Sequence, residues 1–165
     1  MSFLSYPAPR YDRAEGEISA AYRPSEQEPE LVYPSGVAVD YLATGAATGG
    51  DFGLYRWTFG PNESGPGPHF HKTISESFFV LSGTVRLYNG EDWIEATPGD
   101  FLHVPPGGIH GFRNVEGEPA SMLLLFTPGA PREGYFEGLA DLQRGKQLSD
   151  EELAGFYLLH DNHWL

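Results

Sequence analysis

Three side chains that bind transition metals well stand within eight positions of one another: His69, His71 and Glu76. A fourth donor, His110, follows the turn signal Pro105 to Gly107. Imidazole nitrogens with one carboxylate oxygen suit a divalent transition metal such as iron, manganese, cobalt, nickel or zinc, whereas calcium and magnesium prefer all-oxygen sets. Four protein donors on an ion that takes five or six leave room for water, substrate or dioxygen. An open position serves catalysis rather than pure structure. A substrate hydroxyl or enol held there gives up its proton more easily, and Glu76 is the expected catalytic base.

Those donors need strands to carry them. Residues i and i+2 share a strand face, so His69 and His71 are expected to point together. Glu76 opens the Phe/Val-rich run Ser75 to Leu81, where it shares a face with Phe78 and Val80. His110 opens a run to Val115 in which His110, Phe112 and Asn114 share a face. Further runs at Val37 to Leu42, Phe52 to Phe59, Val85 to Tyr88, Trp93 to Ala96, Phe101 to Val104 and Ala120 to Thr127 complete roughly the eight short strands of a jelly roll. Asn89-Gly90 is the strongest hairpin signal and joins the two donor-bearing halves. Phe78, Val80, His103, Phe112 and Leu125 are the candidate pocket residues, and each is also a plausible packing residue of a barrel wall.

The two motifs resemble those of the cupins. The first cupin motif reads H-x-H, four residues, E, six residues, G, and His69, His71, Glu76 and Gly83 fill it. The second reads G, five residues, P-x-G, two residues, H, three residues, N, and Gly99, Pro105, Gly107, His110 and Asn114 fill it. One position departs: Glu63 stands where the family has a Gly. The chain from about Val37, including the terminal DNHWL, is similar to the bacterial single-domain cupins described as quercetin 2,3-dioxygenase-like. That resemblance implies an all-β jelly roll and ring-opening dioxygenation of a flavonol or other enol-bearing aromatic, with Glu76 as base. The same donors would serve a non-redox metal enzyme, such as a polyketide cyclase or sugar isomerase. A non-catalytic small-molecule binding domain is the third reading.

Length and composition set bounds on all three readings. At 165 residues with 21 Gly, 14 Pro and 14% aromatics, the chain suits one domain of many short strands. A formal net charge of -13 without a basic cluster disfavours nucleic acid and anionic membranes as partners. The absence of Cys removes disulfides, thiolate nucleophiles and Cys-based metal sites. No signal sequence or membrane-spanning run is evident, so a cytoplasmic protein is expected. The expected partners are a small-molecule substrate, dioxygen and, on general and family grounds, a second copy in a homodimer.

Residues 1–34 are expected to form an N-terminal arm, with Phe3, Leu4, Tyr6, Tyr11 and Tyr22 as potential anchors on the body or a second subunit, or else to be partly disordered. The barrel spans 35–130. Residues 131–165 are expected to form two short helices closing a sheet face or the barrel mouth. The first is Arg132 to Leu142, and the second follows the capping box Ser149/Glu152. His160 and His163 are expected to dock the tail rather than to react.

Overall fold

The computed structural model describes residues 5–165, and Phe3 and Leu4 lie outside the described residues. Among them the strands are β1 (Leu31–Val32), β2 (Ala38–Ala43), β3 (Gly53–Thr58), β4 (His69–Phe70), β5 (Ser75–Ser82), β6 (Val85–Tyr88), β7 (Trp93–Ala96), β8 (Phe101–Val104), β9 (Gly111–Asn114), β10 (Ser121–Thr127) and β11 (His163–Trp164). Two helices, α1 (Arg132–Gln143) and α2 (Asp150–Leu159), follow β10. A six-stranded sheet runs in the order β1-β2-β3-β10-β5-β8, and a three-stranded sheet in the order β7-β6-β9. All the pairings are antiparallel, with crossovers between the sheets. The result is an all-β jelly roll.

Alternation decides what each sheet buries. Val39, Tyr55, Trp57, Phe78, Val80, Met122, Leu124 and Phe126 come from the larger sheet, and Val85, Leu87 and Phe112 from the smaller, to form one core. Aromatic edges meet faces within it: Tyr55 lies 5.8 Å from Phe126, and Trp57 lies 5.7 Å from Phe112. Asn89 shapes the hairpin between β6 and β7, its Oδ1 accepting from the N–H groups of Glu91 and Asp92. Gly83, which ends the first motif, has φ of 69°, and a Cβ there would fall 2.1 Å from the Pro119 carbonyl oxygen.

The sheet begins at Leu31, ahead of the expected barrel boundary at 35, because Leu31 and Val32 pair with β2. Just before β1, Arg23 and Arg56 both pair with the buried carboxylate of Asp40, and Arg23 also reaches Glu30. Residues 5–22 are solvent-exposed, so Tyr6, Tyr11 and Tyr22 do not anchor the arm on the chain's own body.

The helices differ in what they cover. In α1, Arg132, Tyr135, Phe136 and Ala140 are buried at helical spacing, and Tyr33 donates a hydrogen bond to the Phe136 carbonyl. The capping box of Ser149 and Glu152 starts α2, as the sequence predicts, but α2 buries no residue fully. It leans on α1 through Phe156, which stacks on Tyr135 at 5.5 Å. The chain then returns as β11 to pair with β4, setting Trp164 opposite His69. Among the described residues no helix is long and apolar enough to cross a membrane.

Candidate metal centre

Backbone pairing brings the donors together. His69 and His110 exchange hydrogen bonds in both directions, each 2.9 Å, which places their side chains on one face of an antiparallel bridge. Their rings lie 4.3 Å apart. Glu76 enters from the second position of β5, and His71 from just beyond β4. The four potential ligand atoms all lie within 4.8 Å of one another, and all four residues are buried.

Each imidazole is held by its outer nitrogen. Nδ1 of His69 lies 2.9 Å from the Gly67 carbonyl oxygen, Nδ1 of His110 lies 2.9 Å from that of Gly108, and Nδ1 of His71 lies 2.7 Å from that of Asp161. A carbonyl only accepts, so each Nδ1 carries the proton and each neutral ring presents the Nε2 lone pair inward. Glu76 Oε2 lies 3.1 Å from Nε2 of His71 and 2.9 Å from Nε2 of His110. Lone pairs facing a carboxylate oxygen at that range repel unless the rings gain a second proton or a cation lies between them. Burial pushes the His69 ring down to about 4, so this ring stays neutral at neutral pH. The donor set fits a divalent ion.

The carboxyl of Glu76 answers to opposing influences. Burial raises its pKa, yet wherever the His110 and His71 rings carry a proton on Nε2 their hydrogen bonds outweigh burial and hold the carboxyl well below the usual range. The His110 ring is lowered by burial but raised on balance by Glu76. Glu76 is therefore ionised at neutral pH.

A cavity of about 360 Å³ opens beside the donors, and His69 and Glu76 form part of its wall. Trp57, Phe112, Leu124 and Phe126 supply the barrel side. Arg132, Tyr135, Phe136 and Leu139 come from α1, and Asn162 and Trp164 from the tail. The size and the largely apolar, aromatic-rich lining suit a small organic ligand.

The candidate pocket residues divide. Phe112 lines the cavity. Phe78 and Val80 are fully buried in the core, and the Phe78 ring lies 5.9 Å from that of His110, backing a donor rather than lining the cavity. Leu125 is not a pocket residue. Strand alternation turns it away from the cavity, which Leu124 and Phe126 line. His103 is exposed on the outer side of β8, where its Nδ1 lies 2.9 Å from the Ser77 hydroxyl. His160 ends α2 and packs on Phe156, while His163 stacks on Phe70, both consistent with tail docking.

Other parts of the site carry no local signal in the sequence. Asp161 has φ of 56°, and its carboxylate accepts from the backbone N–H groups of Lys72 and Thr73 and from the Thr73 hydroxyl. Its carbonyl, as described, orients His71. Asn162 is buried between Arg132 and the Tyr135 hydroxyl, to which it donates at 2.9 Å. The Gly that the family places at position 63 is not needed there, because Glu63 is exposed beside Arg113. The close approach to β9 falls on Gly65, where a Cβ would meet the Phe112 carbonyl oxygen at 1.9 Å.

Comparison with known proteins agrees with this geometry. The cupin domain family matches residues 55–126, a span that holds all four donors. Quercetin 2,3-dioxygenase from Bacillus subtilis is 32% identical over 77 residues, which cover 47% of this chain and 22% of that enzyme. The chain thus spans less than a quarter of that relative. Among solved structures, an RmlC-like cupin from Shewanella frigidimarina superposes with a TM-score of 0.58 at 19% identity, over 70% of this chain and 96% of that one. The polyketide cyclase RemF from Streptomyces resistomycificus gives 0.53 at 22% identity, over 67% and 80%. Both structural likenesses are likenesses of fold.

Proposed function

We propose that the chain, whose residues 55–126 match the cupin domain family, is a metal-dependent dioxygenase acting on a flavonol-like or other enol-bearing aromatic small molecule. One observation carries the reading: three imidazoles locked by carbonyls turn their Nε2 lone pairs, with Glu76, toward one point at the edge of an aromatic cavity. His69, His71, His110 and Glu76 would hold the ion. When bound, a divalent transition metal would stabilise a substrate oxyanion and give dioxygen a place to react.

The chain's own residues do the rest. Phe112, Phe126 and Trp57 offer flat apolar faces that hold an aromatic ring and exclude water. Glu76, ionised and buried, takes the enol proton on Oε2. The Nδ1 contacts keep the three imidazoles in one tautomer while the proton moves.

The test is oxygen uptake with quercetin on protein of measured metal content. Uptake in step with substrate loss, abolished by chelation, is expected. Substrate loss that continues unchanged without dioxygen would replace this reading with a non-redox reaction on the same ligands, and tight binding without turnover would replace it with a binding role. Glu76→Gln should lower turnover by about 10²-fold or more while leaving the fold intact.

A further inference from the structure

Arg132, the first residue of α1, has no anion of its own. It is only 4% exposed. Its Nη1 donates to the His160 carbonyl at 2.6 Å and its Nη2 to the Asn162 side-chain oxygen at 3.1 Å, both neutral acceptors. Its guanidinium packs against the rings of Tyr135 at 4.4 Å and Phe126 at 5.0 Å. Nε has no partner among the described residues. Among the described residues, the other buried side-chain N–H without a partner is Trp57 Nε1, and both residues belong to the wall of the same cavity. A buried cation with an unused donor is costly unless something compensates it, and such a group in a cavity wall points to a ligand.

The local charge balance points the same way. The whole chain is strongly acidic, yet the cavity wall holds Arg132 against the single carboxylate of Glu76. A divalent ion on the donor cluster would more than neutralise Glu76 and leave the pocket doubly positive. Asp161, the next acidic group to act on Arg132, spends its carboxylate on Lys72, Thr73 and His163.

We infer that the cavity takes an anionic small molecule, with an acidic oxygen of the ligand against Arg132 and a second oxygen toward the His/Glu cluster. Arg132 is then a specificity-determining residue, and the substrate class narrows to aromatics that carry a carboxylate or an ionised hydroxyl. This rests on reading the cavity as the substrate site.

Matched probes test it: salicylate and its neutral amide, salicylamide, bound to zinc-loaded protein and followed by tryptophan fluorescence and calorimetry. Wild-type protein should prefer the anion by about tenfold or more, and Arg132→Gln should lower that preference by about tenfold, a change of about 1.4 kcal/mol. A structural role alone would lower the melting temperature and leave the ratio of the two affinities unchanged, so an unchanged ratio in folded Arg132→Gln overturns the inference. If Arg132→Gln does not fold, the ratio in metal-free wild-type protein decides, with about tenfold supporting the inference and near equality overturning it. Zinc stoichiometry on the same samples separates the two ideas. Zinc bound with no role for Arg132 removes this inference alone. No zinc bound removes the metal reading, and the ratio is then read on metal-free protein.

Discussion

The strand-borne half of the site and its C-terminal half are built on different principles. His69, Glu76 and His110 sit on or beside strands whose backbone bonds fix their direction, and little else is needed to aim them. The segment from Arg132 to Trp164 contributes through long-range contacts: a carbonyl for His71, a guanidinium and an indole for the cavity, and Asn162 to hold them in place. One half supplies donors and the other supplies orientation and enclosure. Losing a donor should therefore abolish the centre, while losing a tail contact should only loosen it.

The largest expected effect comes from the donor half. His71→Ala removes an Nε2 that no neighbour can replace, and metal content should fall from about one ion per chain to about a tenth of that, measured by elemental analysis after purification without added metal. Full retention of metal would erase the contrast, since His71 would then be as dispensable as its supports. A smaller effect is expected from the tail. Asp161→Ala removes the carboxylate that accepts from Lys72, Thr73 and the Thr73 hydroxyl, so the loop carrying His71 loses its tether. Metal affinity should weaken by about tenfold, as is usual for groups that orient ligands, while Asp161→Asn, which retains an acceptor and tolerates the left-handed backbone, should lose about threefold. A chelator competition titration reads both. An Asp161→Ala loss as complete as that of His71→Ala would show that the tail is part of the donor set in all but name.

The same division explains what could be read from the sequence. The ligands are legible because strand period and turn chemistry are local, and Gly83, Gly99, Pro105 and Gly107 mark where the chain turns between them. The assignment of Leu125 to the pocket fails because SMLLLFT is apolar on both faces, so alternation alone cannot say which face is inner. His103 lies on β8, an edge strand whose Phe101 is also exposed, and a four-residue run gives too little pattern to orient it. β1 and β11, two residues each, have no period to detect. Arg132 and Asn162 carry no signal because their roles exist only once residues about thirty apart have met; Asp161 reaches across ninety.

The two helices allow the contrast to be tested on stability alone. Phe136 in α1 is 4% exposed and touches the rings of Tyr55, Trp57, Phe126 and Tyr135, so Phe136→Ala should cost about 3–5 kcal/mol through lost burial and the cavity it leaves. Leu158 in α2 is 60% exposed, and its side chain has no place in the core. Leu158→Gln preserves helix propensity and removes little buried surface, so its cost should stay within about 0.5 kcal/mol in urea unfolding. A cost nearer to that of Phe136→Ala would mean that the exposed face of α2 is covered in solution, and the contrast between the two helices would fail. If Leu158→Gln is silent, the contribution of α2 lies on its other side, where Phe156 stacks on Tyr135 and Tyr157 lines the cavity before the chain returns to β4 and Asp161 and Trp164 meet His71 and His69.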